Sequence, residues 1–428
     1  MTTTDASTWQ RLLRRAVLIE REEIQPALAA FTFVFIAMAA YYLMRPLRDA
    51  MASDWSNAEI AALWNMQLVL SGVSVAVYGY LCARLRFARL VPGVYLFFAM
   101  SFAAFYAGAG IAANHVLIDK AFYLWVSLFS LFHVSVFWSL MGEVFTKSQS
   151  QRLFAFLAGG SSAGAALGPL FAGLFVGRIG VDNLLLIAAL MLFAGMPLVL
   201  YLQRLAPTGK RADDISIVGK PDDVIGGSPL AGFSLFLRNP FLLGIGAFIL
   251  LLTAINGLFY LQQTEVLRVF PLETRAAILG YIAAAVNVLT PLLGVFATGR
   301  LVRWLGVSAA LALMPLLVAV GLILLALVPA AGILMVMQTL RQAGNYGITR
   351  PAREMLFTHV DRQTRFKAKP VADVVIYRGG DVVTISILAL MTDALGMGFA
   401  AMAGVGAVVA LIWAGIGVKL GRMFDRSS

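Results

Sequence analysis

The chain alternates between long apolar runs and short polar segments. Twelve apolar runs reach, or nearly reach, the roughly 17–25 residues that a membrane-spanning helix needs. The tenth run is interrupted by Arg341. We number the runs span one to span twelve, and they lie at 27–47, 61–82, 90–110, 121–141, 153–175, 181–202, 241–262, 275–298, 307–328, 331–348, 371–392 and 397–418. The pattern predicts an all-α membrane protein of twelve transmembrane helices.

The longest polar stretch between spans predicts the division into domains. It covers 203–238 and lies between spans six and seven. We predict an N-terminal six-helix bundle over 25–202, a cytoplasmic linker over 203–238 and a C-terminal bundle over 239–428. Equal halves resemble the parallel repeats of major facilitator transporters, which predicts pseudo-two-fold symmetry. Residues 1–24 mix acidic and basic side chains with no uncharged apolar core, so they predict a cytoplasmic helix and not a signal peptide.

Composition agrees with a membrane protein. The chain is 60% hydrophobic and 13% charged, and its mean hydropathy is +0.85. Soluble domains contain roughly 45–50% apolar and about 25% charged residues. A water-soluble fold of this composition would expose large apolar surfaces, and we therefore exclude it.

The positions of basic residues predict the orientation. Most of the 33 Lys and Arg residues fall in segments that are inward if the N-terminus is cytoplasmic. Cytoplasmic loops carry an excess of Lys and Arg, so both termini are expected inside the bacterial inner membrane. The net charge of +11 is then explained by basic residues that set the orientation in the membrane and contact anionic lipid. No nucleic-acid partner is expected. The outward segments hold Arg45, Arg48, Lys120, Arg178, Arg268 and Arg275.

Span five carries Gly160, Gly164 and Gly168 at every fourth position. Small residues at this spacing let membrane helices approach closely, so we predict a helix-packing face. A dinucleotide-binding loop would need a preceding strand, and the pattern predicts none.

Charged side chains recur at matching places in the two halves. Glu143 ends span four and Glu354 ends span ten, and each is followed by an apolar step and a threonine. Span one closes with Arg45 and Arg48, and span seven closes with Glu265 and Arg268. An i,i+3 spacing places each pair on one helix face. The similarity favours duplicated halves that share a function.

Charges at membrane depth are costly and usually mark a substrate or ion path. Arginine and lysine in a dry cavity suit phosphate, and carboxylates among them would pair with the cations in the empty state. We therefore expect opposite-sign groups of the two halves to converge on one chamber. The candidates are Arg45, Arg48, Asp49 and Glu143 in the first half, and Glu265, Arg268, Arg341, Glu354, Lys367, Lys369, Asp373, Arg378 and Asp381 in the second.

Each group also has a purely structural interpretation. Arg45, Arg48 and Asp49 would then form a solvated cap at the outer mouth, and Glu143 would be clasped by Lys147. Lys367 and Lys369 would be topology signals. Arg378 and Asp381 lie at i,i+3 on span eleven, and for this pair mutual satisfaction is the favoured interpretation.

No feature predicts an enzyme, a metal site or a cofactor. Cys82 is the only cysteine, which excludes an intrachain disulfide and a thiolate metal cage. His115, His133 and His359 are scattered without ligand spacing. No His, Ser and Asp arrangement typical of a hydrolase occurs, and we expect a protein that is not an enzyme.

Four short motifs resemble the non-mitochondrial ATP/ADP translocase family, the plastid and intracellular-bacterial type of nucleotide transporter. They are Arg45-Pro46-Leu47-Arg48-Asp49, the element at Glu143, Thr264-Glu265-Val266, and the run from Arg365 to Val375. The resemblance spans both halves but is carried by these motifs alone. It implies a major facilitator-type fold and transport of nucleotides or related phosphorylated anions.

The resemblance also implies residue roles. Arg45, Arg48 and Asp49 occupy three charged positions of the family motif, with arginine at 48 in place of lysine. Glu143 and Glu265 fall on its functional glutamates, and Lys369 or Lys367 inherits its second functional lysine. We therefore expect Arg45, Arg48, Arg268, Lys367 and Lys369 to bind substrate, and Asp49, Glu143, Glu265, Glu354, Asp373, Arg378 and Asp381 to form ion pairs that gate access.

Three hypotheses about function follow. The first is an exchanger of nucleotides or phosphorylated organic anions that works as a monomer by alternating access. The second is a proton-coupled major facilitator for another metabolite or drug, with Asp49, Glu143, Glu265 or Asp381 as the protonated group. The third is a membrane scaffold on a transporter-derived fold, against which the costly charges of both halves argue.

Overall fold

The computed structural model describes residues 20–84, 87–109, 115–205, 231–328, 330–360, 369 and 371–425. Every regular element in these residues is helical, which confirms the predicted all-α class. The predicted N-terminal helix 1–24 and linker 203–238 fall mostly outside the described residues, and Lys367 lies wholly outside them.

The first six predicted spans are six long helices. Their bounds are Ile24–Met51, Asn57–Arg84, Phe87–Ala109, His115–Val144, Lys147–Ile179 and Val181–Leu205. Short 3₁₀ turns, Arg21–Glu23 and Ala52–Asp54, precede and follow span one. The helix of span five begins at a capping box, because the Thr146 hydroxyl accepts from the backbone of Gln149 and the Gln149 side chain accepts from the backbone of Thr146.

The remaining spans contain more irregular turns. Span seven is Pro240–Leu267, after a short helix Ala231–Arg238. Span eight starts as Leu272–Leu292 and continues through the π-helical turn Leu293–Thr298 into the helix Gly299–Leu327. That helix is broken at Gly306, and span nine is the part of it that follows the break. Span ten consists of Ala331–Gly344 and the π-helical turn Asn345–Thr349, and Arg350–Leu356 continues the helix beyond the span. Span eleven consists of Val371–Ile376, Tyr377–Ala389 and Leu390–Ala394, and span twelve is Phe399–Asp425.

Ten helices in the described residues are long and apolar enough to cross a membrane. One of them, Leu272–Leu327, covers both predicted spans eight and nine. Span ten is not among the ten, and its run 331–348 contains Arg341 together with Gln338, Gln342 and Asn345. The other predicted spans each correspond to one such helix.

The break between spans eight and nine lies at Gly306. Its φ of +80° is a left-handed conformation that glycine adopts without steric cost. The carboxylate of Asp425, at the end of span twelve, accepts hydrogen bonds from the Val307 amide at 3.4 Å and the Ser308 hydroxyl at 3.0 Å. Span nine therefore begins with a cap that a distant helix supplies.

The chain divides into two compact units. The first comprises Met1–Arg48 with Ser71–Val224, and the second comprises Asp49–Leu70 with Ile225–Ser428. The segment Asp49–Leu70 holds the end of span one and the start of span two. The predicted N-terminal bundle includes this segment, whereas the contacts place it in the second unit.

The glycine face of span five packs directly on span one, inside the first unit. A Cβ at Gly164 would collide with the Phe35 carbonyl oxygen, and one at Gly168 with that of Ala39. At Gly160 it would lie 2.9 Å from the Phe31 carbonyl oxygen. The predicted helix-packing role of these glycines is confirmed.

Span seven is the most buried helix of the second unit. It packs on spans eleven and twelve, and span nine packs on span twelve. Gly257 of span seven faces Leu388, and Gly380 of span eleven faces Thr253. The outward face of span nine is an apolar stripe of exposed side chains suited to lipid: Leu316, Leu317, Val320, Ile323, Leu324 and Leu327.

We predict that Gly164→Ala destabilises the protein. The new methyl group would overlap backbone atoms of span one, and overpacking of this kind typically costs about 1–3 kcal/mol. Thermal unfolding of purified protein in detergent measures the change. The matched control is Gly159→Ala on the same helix, where nothing lies within 4 Å of the new atom. Equal melting temperatures for the two variants would contradict the packing described here.

Candidate functional site

In the first unit, Arg48 is held by neutral groups of span four. Its Nη1 donates to the Ser127 hydroxyl at 2.8 Å, and its Cζ lies 5.0 Å from the centroid of the Tyr123 ring. The Ser127 hydroxyl in turn donates to the Tyr123 carbonyl at 2.7 Å. A hydroxyl and an aromatic face orient a guanidinium without supplying the negative charge of a carboxylate.

The same face of span one continues inward with polar aromatic groups. Positions 41, 45 and 48 follow i,i+4,i+7 spacing, so they share this face. The Tyr41 ring lies 4.7 Å from that of His133, whose side chain is buried. Nδ1 of His133 lies 3.0 Å from the Phe129 carbonyl, and in the described residues its Nε2 has no partner. Arg45 sits over the Tyr42 ring at 5.8 Å.

In the second unit, Arg341 is the centre of a buried polar network. Its Nε and Nη2 donate to the Gln338 side-chain oxygen at 3.0 and 2.7 Å, and its Nη1 donates to Asn256. The Gln338 amide donates to Gln263 at 2.6 Å. The Phe259 ring lies 5.0 Å from the guanidinium carbon. Arg341 is 7% exposed, so these contacts replace nearly all of its hydration.

Arg48 and Arg341 are thus held by the same chemistry in different units. Each guanidinium donates to neutral oxygens and lies against an aromatic ring. Arg48 was expected at a binding site from its motif. Arg341 was recognised only as a charge inside span ten, and its amide partners were not predicted.

At the predicted outer end of the second unit, two arginines bind the turn 52–55. Arg268 donates from Nε to the Ser53 carbonyl and from Nη2 to the Trp55 carbonyl, both at 2.9 Å. Arg275 pairs with Asp54 at 2.6 Å and donates to the Arg268 carbonyl at 2.8 Å. We call this set of contacts on the turn 52–55 the outer clamp.

Further hydrogen bonds tie the segment Asp49–Leu70 to span eleven. The Asn57 amide donates to Thr392 at 3.0 Å, and the Ala58 backbone donates to Asp393 at 2.8 Å. Deeper in the unit, Asn65 donates to Ser386 at 3.2 Å.

Span seven adds contacts of its own to the same segment. The Tyr260 hydroxyl donates to Asp49 at 3.5 Å, and its ring lies 5.2 Å from that of Trp64. Together with the outer clamp, these contacts explain why this segment belongs to the second unit.

The predicted cytoplasmic end of the second unit carries a four-residue ion-pair cluster. Lys369 pairs with Glu354 at 2.5 Å. Arg353 pairs with Glu354 at 3.3 Å and with Asp373 at 3.2 Å. Burial alone would raise the pKa of Glu354, but the hydrogen bonds and charges of Lys369 and Arg353 lower it overall. We call this set the inner cluster.

The structure brings some predicted residues together and separates others. Glu354, Lys369 and Asp373 meet in the inner cluster, and Glu265 lies 3.6 Å from Arg268. Thr392, at the outer end of span eleven, borders the same cavity as Glu265, whereas Lys369 precedes the inner end of that span. A helical rise of about 1.5 Å per residue separates these two ends by roughly 36 Å.

Arg48 and Glu143 are separated in the same way within the first unit. Ser127, which contacts Arg48, precedes Glu143 by a helical distance of roughly 24 Å on span four. Glu143 is exposed. Arg48 and Glu143 therefore do not meet within the first unit, and the convergence of the two halves stays a prediction.

Arg378 and Asp381 interact electrostatically on span eleven, in the direction that the sequence predicts. Arg378 is exposed and Asp381 is half-buried. Among the ion pairs of the described residues, none joins the two at contact distance.

Sequence reasoning missed Arg353 and the amide network around Arg341. Arg353 directly precedes Glu354, which the sequence analysis singled out because it matches Glu143 of the first half. Asn256 and Gln263 lie one i,i+7 step apart on span seven, and polar residues at such spacing in an apolar helix are the signal that was available. Among the described residues, no group of three metal-ligating side chains exists.

The chain belongs to the Major Facilitator Superfamily of membrane transporters, because the model of that family matches residues 30–353, more than half of its length. No curated protein sequence matches the chain significantly. The specific resemblance to ATP/ADP translocases is therefore not matched by these comparisons, and the superfamily alone is established.

Several solved structures share the fold. The nucleoside transporter NupG is 14% identical with a TM-score of 0.63, over 95% of this chain and 99% of that one. An auto-inhibited POT family peptide transporter is 12% identical with a TM-score of 0.63, over 93% and 97%. A bacterial homologue of the human lysosomal transporter Spinster is 14% identical with a TM-score of 0.59, over 95% and 98%. At such identities the likeness concerns the fold alone.

We predict that Arg275→Ala loosens the outer clamp, because Asp54 and the turn 52–55 lose their charged partner. The probe is Ser53→Cys in a Cys82→Ser background, since Ser53 is fully buried. Labelling of Cys at 53 by a membrane-impermeant maleimide should become several-fold faster in the Arg275→Ala protein. Glu273→Ala, an exposed charge on the same helix, is the control and should leave the rate unchanged. Unchanged labelling in both variants would exclude a clamp.

The inner cluster predicts a pH-dependent stability. Because the pKa of Glu354 is lowered in the folded protein, its contribution is present at neutral pH and is lost as pH falls through that pKa. The pair is partly exposed, so we expect Glu354→Gln to cost only about 0.5–1 kcal/mol at pH 7. The difference from the parent should shrink as pH falls below the ordinary pKa range of a glutamate, and it should vanish only below the lowered pKa of Glu354.

Thermal melting across pH tests this expectation. Glu143→Gln is the control, because Glu143 is an exposed glutamate at the corresponding end of span four. It should change the melting temperature little at any pH. A Glu354→Gln deficit that persists unchanged in acid would show that the carboxylate charge is not what the cluster uses.

Proposed function

We propose that this transporter moves nucleotides or related phosphorylated organic anions across the bacterial inner membrane by alternating access, in exchange for a second anion. The observation that carries the proposal is the arginine that each unit holds against an aromatic ring with neutral oxygen partners. A guanidinium offers a planar fork of donors that matches phosphate oxygens.

The neutral partners favour an anionic cargo. The hydroxyl of Ser127 and the side-chain amides of Asn256 and Gln338 orient their guanidinium groups. A phosphate can add charge-assisted hydrogen bonds to a guanidinium that is oriented in this way. Arg48 and Arg341 are therefore the groups that we assign to the phosphate during the transport cycle.

The other residues that we predicted to bind substrate, Lys369 and Arg268 among them, are better suited to gates that open and close access to the site. Lys369 is engaged with Glu354 in the inner cluster, and Arg268 is engaged with backbone carbonyls in the outer clamp. We propose that Lys369, Glu354 and Asp373 open and close the cytoplasmic side, and that Glu265 and Arg268 act at the outer side. Lys367 remains the alternative to Lys369, and Arg45 supports the anion beside Arg48.

A proton-coupled carrier is the second candidate, and Asp381 favours it. This carboxylate lies near the middle of span eleven, half-buried, and forms no ion pair among the described residues. A carboxylate at membrane depth without an ion pair is a group that could carry a proton. The two candidates differ in what drives uptake, a pH gradient or an anion on the opposite side.

We predict that Arg48→Ala and Arg341→Ala each reduce uptake of radiolabelled nucleotide into proteoliposomes by about a hundredfold or more. The reason is loss of a charge-assisted contact to phosphate in a low-dielectric site, worth about 3 kcal/mol or more. The control is Arg178→Ala, an exposed arginine at the predicted outer end of span five. All three proteins should reconstitute as well as the parent.

Vesicles preloaded with nucleotide, sugar phosphate or inorganic phosphate, with and without a pH gradient, separate the two candidates. Exchange that depends on the internal anion supports the proposal. Uptake that follows the pH gradient and is lost in Asp381→Asn supports the proton-coupled carrier. Normal nucleotide exchange by Arg48→Ala would overturn the assignment.

A further inference from the structure

Span ten and the helix Arg350–Leu356 that continues it carry buried polar side chains on one face. We call this set the polar row, and its members are Gln338, Arg341, Asn345, Thr349 and Arg353. Each of the five is at most 7% exposed. They follow one another at intervals of three or four residues, so they project from the same side of the helix.

The π-helical turn Asn345–Thr349 keeps the polar row straight. On a regular α-helix each step of four residues drifts by about 40°, because about 3.6 residues make one turn. A π-helical turn is wider and rotates the chain less per residue, which offsets this drift. Such turns are frequent at functional sites. The opposite side of the helix carries Val336 and Leu340, which are exposed as expected for a face toward lipid.

The polar row connects two sites described above. Gln338 and Arg341 belong to the buried network with span seven. Arg353 belongs to the inner cluster at the predicted cytoplasmic end. A helical rise of about 1.5 Å per residue separates the two arginines by roughly 18 Å. Polar side chains therefore occur at every turn between the arginine that we assign to phosphate and the proposed inner gate.

Helix packing alone does not account for the middle of the polar row. Polar side chains between membrane helices usually hydrogen-bond to a neighbouring helix. Among the described residues, Oδ1 of Asn345, Oγ1 of Thr349 and Nε of Arg353 have no hydrogen-bond partner. An unpaired buried polar group is costly, so the packing in this structure does not satisfy the row. These atoms are closed off here, and any contact with water or cargo belongs to another state of the transport cycle.

We propose that the polar row is the wall along which the anion moves between Arg341 and the cytoplasm, and that Arg353 is a further arginine that binds its phosphate. The inference rests on the proposed function and deepens it by naming the route on the cytoplasmic side. Asn345 and Thr349 lie one turn apart between the two arginines. Their amide and hydroxyl groups offer hydrogen bonds to the anion without a competing charge.

The partners of Arg353 link arrival of the anion to opening of the inner cluster. Its Nη2 lies 3.3 Å from Glu354 and 3.2 Å from Asp373. A phosphate at Arg353 would compete with these carboxylates for the same guanidinium. Both carboxylates are partly exposed, so they can return to water when they are displaced. Binding of the cargo at Arg353 would thus separate the ion pairs that close this end of the unit.

The first test measures access to the polar row in the full-length protein in liposomes. Asn345→Cys and Thr349→Cys are made in a Cys82→Ser background. Leu340→Cys is the control, because position 340 is exposed on the opposite side of the helix. We expect an anionic methanethiosulfonate reagent to modify positions 345 and 349 several-fold faster than position 340, and saturating nucleotide to slow the reaction. A cationic reagent should react more slowly, because an arginine flanks these positions on either side.

The second test measures competition at Arg353. Asp373→Asn removes a carboxylate that competes with the cargo, so it should lower the KM for nucleotide several-fold. Arg353→Gln should raise the KM, and Arg353→Lys, which keeps the charge, should lie between it and the parent. Glu273→Gln changes an exposed glutamate of span eight and should leave the KM unchanged. A purely structural ion pair predicts that Asp373→Asn lowers the melting temperature without lowering the KM.

The outcomes separate this inference from the proposed function. Normal nucleotide exchange with positions 345 and 349 reacting no faster than position 340 would overturn the inference and leave the proposed function intact. Labelling that nucleotide does not slow, or an unchanged or higher KM in Asp373→Asn, would also overturn it. Selective reaction with the anionic reagent in a protein that transports no nucleotide would support the route and reject the proposed cargo.

Discussion

The cost of placing a guanidinium inside a membrane governs both units of this protein. On insertion scales an arginine at the centre of a helix costs about 2.5–3.5 kcal/mol, so its donors must be satisfied by protein. Arg341 meets this requirement with three hydrogen bonds to side-chain amide oxygens and a ring face. The amide oxygens and the ring thereby lower the cost of burying the guanidinium. This guanidinium is one of the two that we propose to meet an anionic cargo.

The ion pairs described for the second unit lie near the predicted ends of its helices. Arg275 pairs with Asp54 at the predicted outer end, and Arg353 pairs with Glu354 and Asp373 at the predicted cytoplasmic end. In each of these pairs the arginine is buried and the carboxylate is partly exposed. The carboxylate keeps part of its hydration, so separating such a pair costs less than separating a fully buried one. This is the behaviour that the proposed gates require.

Much of the fold could be predicted from hydrophobic runs. A helix in a membrane forms all its backbone hydrogen bonds internally, so the length of its apolar run in the sequence indicates the length of the helix. Span ten marks the limit, since Arg341 and nearby amide side chains interrupt its apolar run. Glycine spacing on span five identified its packing face, because close approach leaves room only for hydrogen. The site was less predictable. Motif spacing identified Glu354 and Lys369 but not that they pair, because this contact depends on tertiary structure and not on helical spacing.

Contacts that depend on tertiary structure could not be predicted from the sequence. Asp425 caps span nine at Gly306 from the far end of span twelve, and no local pattern joins these residues. Gln262 and Gln263 are identical in type and adjacent in the chain, yet one is satisfied by Gln338 and the other is unpaired. Helix rotation decides between them, and rotation is set by packing.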